Sequence, residues 1–428
     1  MIHSRVMTLV LLAAATAHAQ SITAIKAGRL IDVTAGKLLT DQVIVIADDR
    51  IREVGPAGSV KVPDGARIVD LSDSTVLPGL IDTHTHITGD PTTPPYHGFG
   101  ISLPRAALKG AANARVTLAA GITTIRNVGA DGFTDVALRD AINDGDVPGP
   151  RMFVSGPALG ITGGHCDDNL LAPEFKYESE GVANGVDGVR LAVRRNVKYG
   201  VDLIKYCGTG GVFSKGDTPG GQQYTVEEVT ALIDEAHMHG RRVAVHAHGA
   251  SGIKVAIRAG VDTVEHASLI DDEGIALAKK NGTFLSMDIY NTDYTQSEGP
   301  KRGELAEFLR KDREIGETQR ENFRKAVKAG VKLTFGTDAG VYPHGDNPKQ
   351  LAVMVRYGMT PMQALQAATI VGADALGKKD DLGVIAPGHF ADIIAVRGDP
   401  LADIHEMERV WFVMKGGAVF RPEIASNR

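Results

Sequence analysis

Histidines stand two residues apart at His84-Thr-His86 and again at His246-Ala-His248. Residues two apart on a strand point to the same face, so either pair can aim both imidazoles at one ion. A fifth histidine follows in Val264-Glu-His266, and Leu333-Thr-Phe-Gly-Thr-Asp338 ends on a carboxylate that can bind metal and exchange a proton with water. Lys205 lies in the apolar run Val201-Asp-Leu-Ile-Lys205-Tyr, where an ammonium is costly to desolvate. A neutral lysine adds CO₂, and the carbamate is an anionic two-oxygen ligand able to bridge two cations. Each residue taken alone has an ordinary reading, as a packing or surface histidine or as a lysine snorkelling at a rim. Together, at the ends of successive apolar runs, they predict a metal site.

The runs that must position these groups alternate with helical stretches. Strands are expected over 80–86, 123–128, 151–155, 202–206, 242–248, 263–266, 284–289 and 332–337, with helices over 106–120, 226–239, 303–329 and 362–376 among the connections. Eight such units predict an α/β fold of the (β/α)8 barrel type, with the active site at the C-terminal ends of the strands. An open doubly wound sheet would need a Gly-rich phosphate turn after its first strand, and Pro78-Gly-Leu-Ile-Asp-Thr-His offers none. Both ends of the chain instead show short β-rich runs broken by turn residues, which predicts a small β-sandwich built from residues 20–77 and 385–428 around a barrel of 78–384.

Composition agrees with a globular chain. Of 428 residues 23% are charged and 43% hydrophobic, which excludes a disordered tail or a collagen. The formal net charge of −6 comes without a basic block, so nucleic acid is not an expected partner. Cys166 and Cys207 are too few for a disulfide framework and lack the spacing of a zinc ribbon, so two ordinary thiols are expected. Residues 1–19 read as a signal peptide: Arg5, then an apolar stretch from Val6 to Ala15, then Ala17-His18-Ala19 before Gln20. About ten apolar residues are too few to cross a bilayer. An exported, acidic mature protein with no membrane partner follows.

The ordered set His84-x-His86, Lys205, His246, His266 and Asp338, with Pro78-Gly-Leu-Ile-Asp-Thr-His in front and Pro387-Gly-His-Phe-Ala-Asp-Ile-Ile behind, resembles the amidohydrolase superfamily. The resemblance spans nearly the whole mature chain. Gly200-Val-Asp-Leu-Ile-Lys205, Val245-His-Ala-His-Gly249 and Ala259-Gly-Val-Asp-Thr-Val-Glu-His266 are similar to the branch with imidazolonepropionase-like proteins, Xaa-Pro dipeptidases and ochratoxin-hydrolysing amidases. The resemblance implies a binuclear zinc site, with His84, His86 and Asp338 on one ion, His246 and His266 on the other, and carboxylated Lys205 between them. It further implies catalytic roles for Asp338 as proton carrier and for His248 and His165 as substrate contacts, and a homo-oligomer acting on small amides. Tyr206, Tyr224, Tyr290 and His344 lie in segments expected near the same mouth. Deaminases and imidazolonepropionases share the fold but do not need a lysine on the fourth strand.

Overall fold

A computed structural model describes residues 21–422, so the expected leader over 1–19 lies outside the described residues. The chain opens with strands β1 (Ile22–Asp32), β2 (Lys37–Ala47), β3 (Arg50–Pro56) and β4 (Arg67–Pro78). It continues through β5 (Leu80–Thr85), α1 (Leu103–Ala119), β6 (Ile122–Asn127), α2 (Thr134–Asn143), β7 (Arg151–Val154), α3 (Gly185–Lys198), β8 (Leu203–Cys207), α4 (Val226–Met238) and β9 (Arg242–Gly249). After these come α5 (Ala250–Arg258), β10 (Thr263–Leu269), α6 (Asp272–Asn281), β11 (Phe284–Ser286), α7 (Asn291–Arg302), α8 (Ala306–Ala329) and β12 (Leu333–Thr334). Helices α9 (Lys349–Arg356), α10 (Pro361–Ala367) and α11 (Ile370–Ala375) lead to β13 (Ile393–Val396), β14 (Phe412–Lys415) and β15 (Ala418–Arg421).

Strands from the two ends of the chain share one seven-stranded sheet, in the order β15-β14-β13-β4-β1-β2-β3. Its apolar residues recur at the strand period: Ile25 and Ala27, Ile44 and Ile46, Ile393 and Ala395, Phe412 and Met414 form one buried cluster. Between the ends lie two parallel sheets, β5-β6-β7 and β12-β11-β10-β9-β8. Every residue of β5 and of β8 is buried, as expected of parallel strands covered on both faces. Backbone hydrogen bonds join the two sheets at both margins. Asp202 donates to Val154 (2.8 Å), while Thr83 donates to Phe335 (2.9 Å) and His86 to Ala339 (2.7 Å). The result is an α/β fold with parallel sheets, and all eight expected strand runs contain a strand.

Three expectations are corrected. The helix expected over 303–329 begins only at Ala306, because Gly303 sits at φ 76° and caps α7. The helix expected over 362–376 is two helices. Thr369, at φ −135° and ψ −93°, interrupts it, with its hydroxyl donating to the Leu365 carbonyl at 2.6 Å. Cys166 and Cys207 are not separate thiols but a disulfide, with Cα atoms 5.8 Å apart. The loop after β7 folds back along β8, where Cys207 donates to the Leu159 carbonyl (2.8 Å), and no sequence spacing signals this approach.

Candidate metal centre

Strand periodicity aims the donors. His84 lies inside β5 and His86 one step beyond it. Lys205 shares a face of β8 with Leu203 and Cys207, and His246 and His248 share a face of β9. His266 sits on β10, where the pairing with β9 shifts register after it. His266 and Asp338 hold left-handed backbone, with φ of 68° and 57°. For residues other than glycine this conformation costs on the order of 1–3 kcal/mol and persists only where surrounding contacts impose it. Here Asp338 donates its N–H to the His84 carbonyl (2.7 Å), and Gln319 donates its side-chain N–H to the His266 carbonyl (3.2 Å).

All eight candidate residues line or border one cavity of about 340 Å³. His86, His165, Lys205, His246, His248, His266 and Asp338 line it, and His84 lies behind Asp338. Nε2 of His84 and Nε2 of His86 each lie 3.3 Å from Asp338 Oδ1. Donor atoms of His246, His248 and His266 lie within 4.8 Å of one another, as do those of His84, His86 and Asp338. These imidazoles pack edge to face, with ring centres of His246 and His266 4.5 Å apart and of His84 and His266 4.9 Å apart.

A second layer of buried carboxylates backs the first. Glu265 Oε2 stands 3.0 Å from His84 Nδ1, and Asp288 Oδ1 stands 3.0 Å from His266 Nδ1. A carboxylate behind one ring nitrogen fixes which nitrogen is left bare for a metal. With Nδ1 of His84 set against Glu265, its Nε2 is buried with no hydrogen bond among the described residues. A buried ring nitrogen without a partner is costly, and a cation would satisfy it. The donor set of imidazoles and a carboxylate suits zinc or a similar divalent ion. The residues present therefore fit the metal.

Burial and Lys205 work against a charge on His84, but Asp338 and Glu265 raise it to about 9. Burial lowers His246 and His248 well below the ordinary imidazole value, so both rings are neutral as metal ligands must be. Burial works against the charge on Asp338, but His84, His86 and His266 hold its carboxyl well below the usual carboxylate range. Burial lowers Lys205 to about 8, opposed by the charges of Glu265 and Asp338. It is 3% exposed.

Other expected contributors fall elsewhere. Tyr206 and Tyr224 pack together in the core, with the Tyr224 hydroxyl on the Ala183 carbonyl (3.0 Å), and Tyr290 packs on Tyr342. His344 hydrogen-bonds the His86 carbonyl at 3.2 Å and does not line this cavity. Arg126 is committed to Glu265 (2.7 Å), Thr83 and Thr263. Sequence reasoning passed over Glu265, Asp288, Asn291 and Gln319. Asn291 donates both to Asp288 (2.6 Å) and to Asp338 (3.0 Å). The available signal for Glu265 was the one that exposed Lys205, a charge inside an apolar strand.

The comparisons with known proteins agree with this geometry. The model of the Amidohydrolase family matches residues 75–419. Ochratoxinase of Aspergillus niger is 33% identical over 429 residues, covering 94% of this chain and 87% of that one. Among solved structures, a Xaa-Pro dipeptidase with bound methionine in its active site superposes with a TM-score of 0.88 at 38% identity, covering 94% of this chain and all of the other. The A. niger ochratoxinase structure superposes with a TM-score of 0.83 at 30% identity, over 94% and 96% of the two chains. Because the match takes in the strand-end histidines and both halves of the terminal sheet's junction with the parallel strands, the chain belongs to the amidohydrolase family, as a hydrolase of amide bonds.

Proposed function

We propose that this protein is a binuclear-metal amidohydrolase that cleaves amides of amino acids bearing a free C-terminal carboxylate, among them ochratoxin A, which would yield its isocoumarin acid and phenylalanine. The observation that carries this reading is the ring of buried His84, His246, His266 and Asp338 with half-buried His86 around an unusually buried lysine, Lys205. His84, His86 and Asp338 would hold one ion and His246 and His266 the other, and Lys205 as a carbamate would supply a further anionic ligand. Burial keeps part of the lysine population neutral, and only the neutral amine adds CO₂. The two parallel sheets, joined at both margins, are read as one closed (β/α)8 barrel over 78–384, and the terminal sheet as a sandwich of 20–77 and 385–428.

Divalent ions at this centre supply a Lewis acid for the carbonyl and a water of low pKa. The protein's own residues do the rest. Asp338, at the cavity floor, takes the proton of the attacking water and returns it to the leaving nitrogen as the C–N bond breaks, giving an acid and an amine. Asn291, bonded to Asp338 Oδ2, holds that carboxylate's orientation. His248, whose Nδ1 meets Ser268 Oγ at 2.8 Å, turns its other nitrogen toward the substrate oxygen. Val128, Val212, Phe213, Ile315 and Val341 give the cavity apolar walls for a bulky group. A neighbouring cleft of about 600 Å³, sharing His86, Ala158 and Cys166 with it, carries Arg105 as a cation for a substrate carboxylate, Lys109 being paired with Asp90 at 2.9 Å.

The structural likeness to a Xaa-Pro dipeptidase favours, as a second reading, dipeptides with C-terminal proline. An imidazolonepropionase-like cyclic amidase or deaminase fits less well, because such chemistry leaves Lys205 unused. Zinc-loaded protein assayed against N-acyl amino acids, ochratoxin A, Xaa-Pro dipeptides, lactones and aminated rings separates these readings. Turnover is expected for amides with a terminal carboxylate. Opening of lactones or deamination alone would overturn the proposal.

A further inference from the structure

His165 differs from the other cavity histidines in that a line of buried polar groups runs away from it. Its Nδ1 lies 2.8 Å from Ser214 Oγ, Ser214 Oγ lies 2.7 Å from Asp217 Oδ1, and Lys311 Nζ lies 2.8 Å from that same carboxylate oxygen. These residues come from three separate places: the loop after β7, the loop after β8 and helix α8. Lys311 is 2% exposed, and it donates also to the carbonyls of Ser214 (2.6 Å) and Gly211 (3.3 Å). The other oxygen of Asp217 accepts from the Gly211 N–H (3.1 Å) and from Gln223 (3.3 Å). The metal chemistry uses none of these groups, so a buried ion pair stands there without an assigned task.

Counting protons settles the direction of the line. An ionised carboxylate only accepts and an ammonium only donates. Ser214 has one proton, and its two acceptors are Asp217 at 2.7 Å and the Gly211 carbonyl at 3.4 Å. The short bond to the charged oxygen is the stronger one. Ser214 Oγ therefore faces His165 as an acceptor, and the ring must carry its proton on Nδ1. The ring cannot turn away from this bond. His246 stacks on one face with centres 4.0 Å apart, and on the other side a Cβ at Gly211 would fall 2.2 Å from His165 Nδ1. Nε2 makes no hydrogen bond among the described residues, and the ring lines the cavity.

We infer that Ser214, Asp217 and Lys311 are positioning residues that fix the proton of His165 on Nδ1, so that the neutral ring meets substrate through a bare Nε2 and accepts a hydrogen bond there. The matching substrate group is an N–H donor, so the site selects secondary amides over N-alkylated ones, which favours the first reading over Xaa-Pro dipeptides, whose amide nitrogen carries no proton. This consequence for the substrate rests on the amide-hydrolase reading, whereas the tautomer itself rests on the relay alone.

Two measurements test it on zinc-loaded, full-length protein. In protein labelled with nitrogen-15 histidine, with the His165 signals assigned by their loss in His165→Gln, the spectrum should show a protonated Nδ1 and a bare Nε2. Ser214→Ala and Asp217→Asn should shift that tautomer with metal content unchanged. A protonated Nε2 in the unaltered protein, or an unshifted tautomer in Ser214→Ala, overturns the relay. The second measurement compares kcat/KM for N-benzoylphenylalanine and its N-methyl counterpart. The unaltered enzyme should favour the N–H substrate by about tenfold or more, the order of one hydrogen bond, and Ser214→Ala should lose that preference. Equal loss toward both substrates would mean a merely structural role and defeat the inference. If neither amide is cleaved, the proposed function fails, while the spectrum still decides the tautomer. Ser214→Ala removes a single oxygen, so it carries the test even where Lys311→Met does not fold.

Discussion

Lys205 is the residue on which the metal chemistry turns, because Asp338 is the only other anionic donor proposed and cannot bridge two ions alone. Lys205→Ala should lose most bound metal and most activity, with partial recovery on adding short carboxylic acids that replace the carbamate. Metal analysis alongside turnover checks this, and two ions per chain with full activity in the variant would sink the bridge. His248 tests a different role. His248→Ala should lower kcat by roughly 10² or more, the scale of a lost oxyanion donor, while metal content stays nearly constant. Loss of one ion instead would make His248 the ligand in place of His246, since all three donor atoms of that group lie within 4.8 Å. The histidine pairs were legible in the sequence because a strand has a period of two. Lys205 was legible because a charge interrupts an apolar run. Glu265 carries that same signal, but its task of standing behind His84 does not show in the chain, and neither does that of Asp288 behind His266, because contact between neighbouring strands leaves no spacing.

At the scale of elements, sequence reasoning located every strand of the two parallel sheets but not how the connecting loops fold over them. The strands carry a repeating apolar signal, whereas loops such as 156–184 are held by particular polar contacts and one covalent bond. The Cys166–Cys207 disulfide ties the His165 loop to the end of β8, two residues beyond Lys205. Closing a loop with a sequence separation of 41 removes chain entropy worth about 4 kcal/mol in the simple loop model. The double variant Cys166→Ser/Cys207→Ser should therefore melt several degrees lower. It should also lose activity more than metal, because the loop that carries His165 is freed while the metal ligands stay on their strands. Calorimetry and metal analysis on the oxidised, reduced and double-variant proteins check this. An unchanged melting temperature on full reduction would show that the loop's polar contacts alone hold it.

At the scale of the whole molecule, two observations of different kinds bear on where the protein works. The N-terminal sequence has a basic start, an apolar stretch and Ala17-His18-Ala19, the pattern of a segment removed on export. The folded part holds its two cysteines as a disulfide, a bond that persists in oxidising compartments and is rare where glutathione keeps thiols reduced. No helix among the described residues is long and apolar enough to cross a membrane. Export would give each feature a reason: a leader would deliver the chain, and an oxidising compartment would bond the pair that fastens the His165 loop. The expected outcome is a mature protein beginning at Gln20, recovered from the periplasm or medium of its native host with Cys166 and Cys207 bonded. Intact-mass spectrometry before and after alkylation reads both at once. A chain that retains Met1 and two free thiols in the cytoplasm would contradict export, and it would also require the His165 loop to be held without its covalent tie.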